Sequence, residues 1–407
     1  MHEPGRPAVA RRAVFLIGGY ERNDCEGFLR RIGREIDCFS RCWAVTTSMK
    51  VLGHAECHSS ATAQVLYEGP DGSCRSDITF LSYDDIVRRD GARPFHLRLL
   101  AYLAAFFDYV ASGTMIRFFQ TNWRFALYFL YPFAALLAFL WIGSLGFRLV
   151  SLVDPPGGLI LPLVAGIGLT VVVGGYLGRR YFVFHLMDLW SFSREHLHCR
   201  RADMDARLSA WGDLIKDRIA DANFDEVLLV GHSTGGAMIL DLAELVGERL
   251  ETEGRAVNFK VLTVGSTSLK VALHPAANRA RARMAALATR MQIRWIEFQA
   301  LTDIINFYKC DPYALAGLTH DRREAFPQQY QVRFREMLEP GIYRRIKRNF
   351  FRVHYQFISA NSRQYFYDFF MICCGTRSLE EARPGSMPLI DGEQRWAEHN
   401  RTKVHHD

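Results

Sequence analysis

The sequence lacks the signatures of several common functional classes. It contains no phosphate-binding loop, no dinucleotide fingerprint and no metal-ligand cluster, and it therefore predicts no cofactor and no metal. It has no internal repeats and no low-complexity tract, and its 49% hydrophobic and 23% charged residues exclude a wholly disordered chain. The net charge of +7 is spread over many segments. The absence of a basic stripe argues against nucleic-acid binding and favours a weak attraction to anionic lipid headgroups.

The sequence also predicts no secretory leader. Met1–Arg12 is polar, and the apolar run Ala13–Ile17 is too short to serve as a leader. The nine cysteines are irregularly spaced, so reduced thiols in the cytoplasm are the default expectation. His54, Cys57 and His58 have the spacing of ligands on one helix, but without a fourth partner they do not predict a metal site.

Charge is absent from two long stretches in the middle of the chain. Phe125–Phe147 and Pro155–Gly178 contain no charged residue, and a helix over the first of them measures roughly 34 Å. A hydrocarbon core is ~30 Å thick, so we expect transmembrane helices near residues 125–147 and 157–177. The short link Arg148–Pro156 joins them as a hairpin. The alternative is a buried soluble hairpin, against which two long, adjacent, uncharged spans argue.

Basic residues near the ends of the spans predict their orientation. All but one lie on the shared outer side of the hairpin: Arg117, Arg124, Arg179, Arg180 and Arg194, against Arg148 in the link. Both large soluble segments are then expected to face the cytoplasm, from an inner or plasma membrane. Several aromatic residues fall near the predicted interfaces: Trp123, Tyr131, Tyr176, Tyr181 and Trp190. The stretches His96–Val110 and Tyr181–Phe192 either lie along the membrane surface or pack against the soluble domain.

The rest of the chain alternates strands and helices. Strands are predicted at Ala13–Ile17, Thr62–Tyr67, Ile78–Tyr83, Glu226–Val230, Phe259–Val264, Gln292–Phe298 and Tyr330–Met337, and helices at Met204–Ile219, Gly235–Leu250 and Asn278–Arg290. This order predicts an α/β fold with a mostly parallel sheet covered on both faces. The predicted parts are a catalytic domain divided between 1–95 and 199–375, a membrane insertion at 96–198 and a polar tail, expected to be mobile, at 376–407.

The strongest chemical signal follows the apolar run Val227–Val230. Gly231-His232-Ser233-Thr234-Gly235 is a G-x-S-x-G motif between a predicted strand and a predicted helix. Gly231 and Gly235 leave room for a strained serine backbone and for close approach of strand and helix. Ser233 Oγ is then held at the carboxyl edge of the sheet, where the amide of Thr234 can bind a developing oxyanion. The alternative is a structural glycine turn with an idle serine.

A serine nucleophile needs a base and an acid that orients the base. Asp303 follows a predicted strand closely and is the favoured acid, and Asp311, farther along the same loop, is the second candidate. His354 is the candidate base, because no other histidine lies between His320 and the tail. The remaining candidates are worse placed, either beside the nucleophile, before the acid or too soon after it: His232, His274 and His320.

Together these features resemble the α/β-hydrolase superfamily, with a GHSTGG elbow after a strand and the order Ser233, Asp303, His354. The resemblance covers Ala13–Ile17 and most of 224–370, and it leaves the hairpin as an insertion of the kind that often forms a lid or cap. It implies a second oxyanion donor in the loop after an early strand, here the amide of Gly19 or Tyr20. No His-Gly pair stands at that position, so the identity of the donor stays open.

The resemblance implies ester hydrolysis through an acyl-enzyme on Ser233. Epoxide hydrolases and dehalogenases place an aspartate at the nucleophile, and the serine argues against them. The hairpin holds the catalytic mouth near lipid, so we expect a lipid-like acyl ester as the substrate and the lipid bilayer as a partner; no protein partner is predicted. A thioesterase or soluble-ester esterase is the alternative among enzymes. A non-catalytic, membrane-anchored scaffold with a hydrolase fold is the alternative outside them.

Overall fold

The computed structural model describes residues 8–55, 59–153, 158–221 and 223–386. The chain divides into two compact units, one made of residues up to Val87 and from Ala202 onward, the other of Arg88–Arg201. The second unit contains the whole of the predicted insertion, 96–198. Several sequence predictions fall outside the described residues, namely those on Cys57, His58, the turn Asp154–Pro156 and residues 387–407 of the tail.

The first unit is built on a mixed eight-stranded sheet, which confirms the α/β class. Its strands are β1 Arg11–Ile17, β2 Thr46–Ala55, β3 Ser60–Gly69, β4 Gly72–Leu81, β5 Glu226–His232, β6 Lys260–Val264, β7 Arg294–Ala300 and β8 Gln328–Val332. They lie in the order β2-β3-β4-β1-β5-β6-β7-β8. Strand β3 is antiparallel to both of its neighbours, and every other neighbouring pair is parallel. The parallel arrangement puts the carboxyl ends of β1, β5, β6 and β7 at one edge.

The sequence misses β2 and places the end of β8 too late. Strand β2 pairs only with β3, and its side chains from Thr46 to Gly53 are exposed or half-buried, so it has no apolar run that would reveal it. The strand predicted at Tyr330–Met337 stops at Val332, because residues Phe334–Met337 form a short helix.

The helices, in chain order, are α1 Cys25–Trp43, α2 Asp84–Ala92, α3 Phe95–Ala111, α4 Thr114–Ser151, α5 Ile160–Arg180, α6 Val183–Leu197, α7 Ala202–Asp221, α8 Gly235–Thr252, α9 Leu269–Ala272, α10 Asn278–Thr289, α11 Pro312–Leu315, α12 Phe334–Met337, α13 Pro340–Ile346, α14 Phe350–Tyr355 and α15 Phe369–Cys374. Helix α1 begins at an aspartate cap, because Asp24 Oδ1 accepts a hydrogen bond from the amide of Gly27 at 2.7 Å. Its apolar stripe, with Phe28 and Phe39 fully buried, belongs to the main core.

A buried ion pair ties the amino end of the sheet to residues beyond Gly375. Arg12 Nε lies 2.7 Å from Glu226 Oε2, and the Arg12 guanidinium also donates to the carbonyls of Gly375 and Arg377. Glu226 Oε1 accepts from the amide of Leu379 at 2.9 Å, and the Leu379 side chain is buried. The first residues of the predicted polar tail are therefore held against the sheet, and the well-ordered domain extends beyond the predicted boundary at Gly375.

The second unit contains two helices long and apolar enough to cross a membrane, and an 18-residue stretch of each has a mean hydropathy of 2.0 in α4 and 2.1 in α5. Helix α4 is broken at Asn122, where φ is −153° and ψ is 95°. Asn122 Oδ1 accepts hydrogen bonds from the amides of Arg124 at 3.1 Å and Phe125 at 3.3 Å, so it caps a second helix that runs to Ser151. The predicted span 125–147 lies inside that second helix, and the span predicted at 157–177 begins at Ile160 and ends at Arg180.

Close backbone approach holds α4 against α5. A Cβ atom at Gly143 would lie 1.8 Å from Thr170 Oγ1 and 2.7 Å from the carbonyl oxygen of Gly166, so only glycine fits there. Many apolar side chains of the two helices face away from this contact, for example Leu137 at 67% and Val171 at 65% exposed.

An aromatic cluster forms the core of the second unit. Trp190 lies at its centre, with ring centroids 4.7 Å from Phe129 and 5.4 Å from Tyr109. Trp190 is fully buried there, so its ring packs inside the protein and does not face lipid headgroups. Helix α3 buries Tyr102 and Tyr109 and leaves a second apolar face exposed: Phe95, Leu97, Leu100, Leu103 and Phe107.

A buried carboxyl group links β6 and β7 to the loop after β7. Glu297 accepts hydrogen bonds from Thr263 Oγ1 at 2.9 Å and from Gln299 Nε2 at 2.8 Å. Gln299 Nε2 also donates to the carbonyl of Cys310 at 2.7 Å, which anchors the far end of that loop. Burial raises the pKa of Glu297 from 4.5 to about 7.

Replacing Glu297 with glutamine should remove part of the pH dependence of stability. Between pH 4.5 and about 7 the folded state binds more protons than the unfolded state, because the folded pKa of Glu297 is the higher one. This difference adds at most about 3 kcal/mol to the free energy of unfolding. The contribution is complete below pH 4.5 and is lost as the pH rises through about 7. We expect urea unfolding in detergent to show that the free energy of unfolding falls less between about pH 5 and about pH 7.5 for Glu297→Gln than for wild type. The exposed control Glu26→Gln should behave as wild type, and equal falls in all three proteins would contradict the prediction.

Candidate active site

The G-x-S-x-G motif lies between β5 and α8, the strand–turn–helix context that it requires. Ser233 has a φ of +58°, which is a strained value for a non-glycine residue. Its backbone is held in this conformation because its amide donates to the carbonyl of Val264 at 3.3 Å and its carbonyl accepts from the amide of Thr267 at 3.0 Å. The turn therefore fixes the serine at the carboxyl edge of the sheet.

The two elbow glycines lie where no side chain fits. A Cβ atom at Gly231 would be 2.5 Å from the carbonyl oxygen of Gly235. A Cβ atom at Gly235 would be 2.2 Å from the carbonyl oxygen of Ile17 and 2.5 Å from that of Gly18. Gly235 thus allows the start of α8 to approach the end of β1 closely.

This approach brings the loop after β1 next to the serine. A Cβ atom at Gly19 would lie 3.4 Å from Ser233 Oγ, so the loop leaves room for little more than a hydrogen atom on that side of the serine. Tyr20, the other candidate donor, is buried beside it in the same loop. Thr234 precedes the first turn of α8, where helix amides lack intrahelical partners and favour negative charge. The three predicted oxyanion residues are therefore within the two backbone segments that meet at Ser233.

The predicted acid and base form a buried pair. His354 Nδ1 lies 2.7 Å from Asp303 Oδ2, and both side chains are almost fully buried. Since a carboxylate accepts, this contact places the imidazole proton on Nδ1 and leaves the lone pair on Nε2. His354 Nε2 is buried and has no hydrogen-bond partner among the described residues. It is the nitrogen that can accept a proton.

The loop after β7 explains why Asp303 rather than Asp311 meets the histidine. Asp303 Oδ1 accepts from the amide of Ile305 at 2.9 Å, which leaves Oδ2 for His354. Asn306 stabilises the conformation of the loop, because its side-chain amide donates to the carbonyls of Ala300 at 2.8 Å and Asp303 at 2.7 Å. Asp311 instead caps α11, accepting from the amides of two residues: Tyr313 and Ala314.

His354 lies in α14 and is positioned by the histidine next to the nucleophile. His232 Nε2 lies 3.2 Å from the carbonyl oxygen of His354, and the two rings are 4.6 Å apart. A carbonyl only accepts, so His232 must donate from Nε2. Burial first, and then the charges of His354 and Arg31, lower the pKa of His232 well below its ordinary value despite this hydrogen bond. His232 is therefore held neutral, which agrees with the sequence-based preference for His354 over His232 as the candidate base.

A buried lysine next to the elbow was not predicted from the sequence. Lys270 Nζ donates a hydrogen bond to Thr234 Oγ1 at 2.8 Å, and its side chain is 1% exposed. Burial lowers the pKa of Lys270 to about 7. In the sequence, Lys270 is a single basic residue in the stretch TSLKVA, and no local pattern connects it with Thr234. Asn306 was missed for the same reason.

Comparisons with protein-family models, with curated proteins and with solved structures returned no match. The residues of this chain alone therefore support the functional proposals below.

Replacing Asp303 with asparagine should impair turnover far more than the same change at Asp311. Asp303→Asn removes the charge that orients His354, and we expect a loss in kcat on the order of 1,000-fold against a 4-nitrophenyl ester. Asp311→Asn keeps a side chain that caps a helix, and we expect a change below about three-fold. His354→Ala should be more damaging than Asp303→Asn. A larger loss for Asp311→Asn than for Asp303→Asn would show that the acid is wrongly assigned.

Proposed function

We propose that this protein is a membrane-anchored serine hydrolase of the α/β-hydrolase type that cleaves carboxylic esters through an acyl-enzyme on Ser233. The observation that carries the proposal is the buried 2.7 Å contact between Asp303 and His354, whose imidazole lies 4.6 Å from the ring of the residue before Ser233, a serine in a left-handed turn. These residues lie far apart in sequence. A serine in a strained turn near a buried histidine–carboxylate pair is the arrangement expected of a nucleophile, a base and an acid.

The proposed reaction uses each residue in one role. His354 Nε2 removes the proton from Ser233 Oγ as this oxygen attacks the ester carbonyl, and Asp303 stabilises the imidazolium that results. Amides of Thr234 and of Gly19 or Tyr20 stabilise the oxyanion of the tetrahedral intermediate. When the intermediate collapses, the C–O bond to the alcohol breaks and His354 returns the proton to the leaving oxygen. Water then repeats the sequence on the acyl-enzyme, which releases the acid and restores the serine.

Burial of the central strands supports a sheet covered on both faces. Every side chain from Arg12 to Ile17 in β1 is buried, and so is every side chain of β5. Successive side chains of a strand point to opposite faces, so both faces of the sheet are covered at this point. One face carries α1 and α15 in the main core. This arrangement supports the proposed hydrolase type.

The apolar helices support a substrate of lipid type. We infer that α4 and α5 cross a membrane, because apolar side chains on both helices are exposed. Each helix is also long enough to span a hydrocarbon core of ~30 Å. An enzyme anchored in this way meets acyl esters that are concentrated in the bilayer. A thioester or a soluble ester is the alternative, and graded ester and thioester panels separate the two.

Ser233→Ala should abolish covalent labelling by a fluorophosphonate probe, because the probe reacts with an activated serine oxygen. A matched control is Ser82→Ala, at a buried serine that follows β4 at the same edge of the sheet and donates to the carbonyl of Asn23. The control should label as wild type, and circular dichroism should be the same for both variants. Labelling of Ser233→Ala at the wild-type rate would refute the nucleophile. Absence of labelling in the folded wild type would favour the non-catalytic scaffold.

The protein should behave as an integral membrane protein with the soluble segments in the cytoplasm. Carbonate and high salt should leave it in the membrane fraction, and detergent should release it. In a background without native cysteines, Ser151→Cys should react with an impermeant thiol reagent on intact cells, and Asn400→Cys should not. Reaction only at position 400 would invert the topology, and release by carbonate would contradict the anchor.

A further inference from the structure

Arg31 in α1 is a half-buried cation, and two of its three guanidinium nitrogens have no hydrogen-bond partner among the described residues. Its Nε and Nη1 atoms are inaccessible to solvent and bond to none of the described residues. The guanidinium lies over two aromatic rings, at 5.5 Å from the centroid of Phe28 and 5.1 Å from that of Tyr355. Arginine stays charged at any physiological pH, and an unpaired buried charge is costly. The two rings offset only part of the cost of burying this charge. The unbonded Nε and Nη1 donors therefore still need an acceptor.

A carboxyl group near Arg31 also has one oxygen without a hydrogen-bond partner among the described residues, although its side chain bonds to Asn23. Glu21 Oε1 is buried and unbonded, and it lies 3.3 Å from the position that a Cβ atom of Gly18 would occupy. Burial raises the pKa of Glu21 to about 7, and Asp84 contributes in the same direction, against the lowering effects of Arg31, Asn23 and His354. No ion pair joins Glu21 to Arg31 among the described residues, although their charges interact. Near neutral pH a fraction of the Glu21 carboxyl is protonated and able to donate.

Both side chains lie beside the proposed catalytic residues. Glu21 follows Gly18 and Gly19, and a Cβ atom at Gly19 would lie 3.4 Å from Ser233 Oγ. Tyr355, on which Arg31 stacks, comes directly after His354, and its ring is 5.7 Å from that of His232. Unpaired donors, a carboxyl group and the nucleophile thus meet at the carboxyl end of β1.

We propose that Arg31, together with Glu21, forms an anion-binding subsite beside Ser233 that holds a phosphate or carboxylate group of the substrate. The planar guanidinium offers donors in the geometry that these anions accept, and its burial strengthens the interaction. The subsite narrows the proposed function, on which it rests, to esters that carry a negative charge near the scissile bond. A phosphate in this place belongs either to a lipid headgroup or to a soluble phosphate ester.

Binding of inorganic phosphate tests the subsite without catalysis. Isothermal titration of the detergent-solubilised full chain should give saturable binding, weakened at least about ten-fold in Arg31→Met. The matched control is Arg30→Met, at the neighbouring arginine of α1, which is exposed and paired with Glu26. Arg30→Met should bind as wild type, and Glu21→Gln, which keeps a donor without a charge, should retain binding. Equal binding by wild type and Arg31→Met would overturn the subsite.

A pair of esters separates the subsite from the proposed function. Arg31→Met should lower kcat/KM at least about ten-fold for the charged 4-nitrophenyl hemisuccinate and change it less than about two-fold for its neutral methyl ester. Turnover of both esters with an unchanged ratio in Arg31→Met would refute the subsite and leave the hydrolase intact. Phosphate binding that depends on Arg31, without turnover of either ester, would refute the hydrolase and leave the subsite intact.

Protection of Ser233 from the fluorophosphonate probe distinguishes the two sources of phosphate. Stronger protection by short-chain phosphatidic acid in micelles than by glycerol 3-phosphate would support a lipid headgroup, and the reverse order would support a soluble phosphate ester. Both results should disappear in Arg31→Met. No protection by either compound would overturn the subsite.

Discussion

The close contact between Gly235 and the end of β1 is the constraint on which the candidate site depends. Because a Cβ atom there would fall 2.2 Å from the carbonyl oxygen of Ile17, the start of α8 and the loop after β1 approach as closely as two backbones can. Strand β5 is held next to β1 by parallel pairing along its length. Ser233 therefore lies between the N-terminus of α8 and the loop after β1, the two segments that hold the proposed oxyanion donors.

Buried polar groups set the chemistry around that serine. Asp303 holds His354 with its free nitrogen unbonded, and His232 is kept neutral by burial and by the neighbouring charges. Lys270 donates to Thr234, and Arg31 lies over the ring of Tyr355 with its Nε and Nη1 atoms unbonded among the described residues. Each group is withdrawn from water, so each one interacts with its neighbours more strongly than it would at the surface. Such a concentration of buried ionisable groups at one sheet edge is typical of a functional site.

The second unit enters the chain between β4 and β5, the two strands that flank β1. The fold thus accommodates more than a hundred inserted residues without changing the pairing of its central strands. Within the insertion, two kinds of apolar surface are separated: an aromatic core around Trp190 and the exposed faces of α4 and α5. Of these two surfaces, only the exposed faces are available to contact lipid. Length and composition do not separate the two surfaces, so they could not assign each aromatic residue to one of them.

The sequence by itself determined the features that are local. The GHSTGG elbow predicts a strand before it and a helix after it, because a sharp turn needs small residues. The two long apolar stretches predict helices, because charge is excluded from them. Chain order and loop position also predicted the pair of Asp303 and His354. The tertiary structure decided the rest. Strand β2 lies at the sheet edge with little buried surface, Asn122 breaks α4 by a side-chain cap, and Lys270 and Arg31 reach the site across the fold. Lys270 and Arg31 leave no periodic or spaced pattern, because their positions depend on contacts between residues distant in sequence. The cap at Asn122 is local, but it falls inside a stretch that otherwise has helical composition.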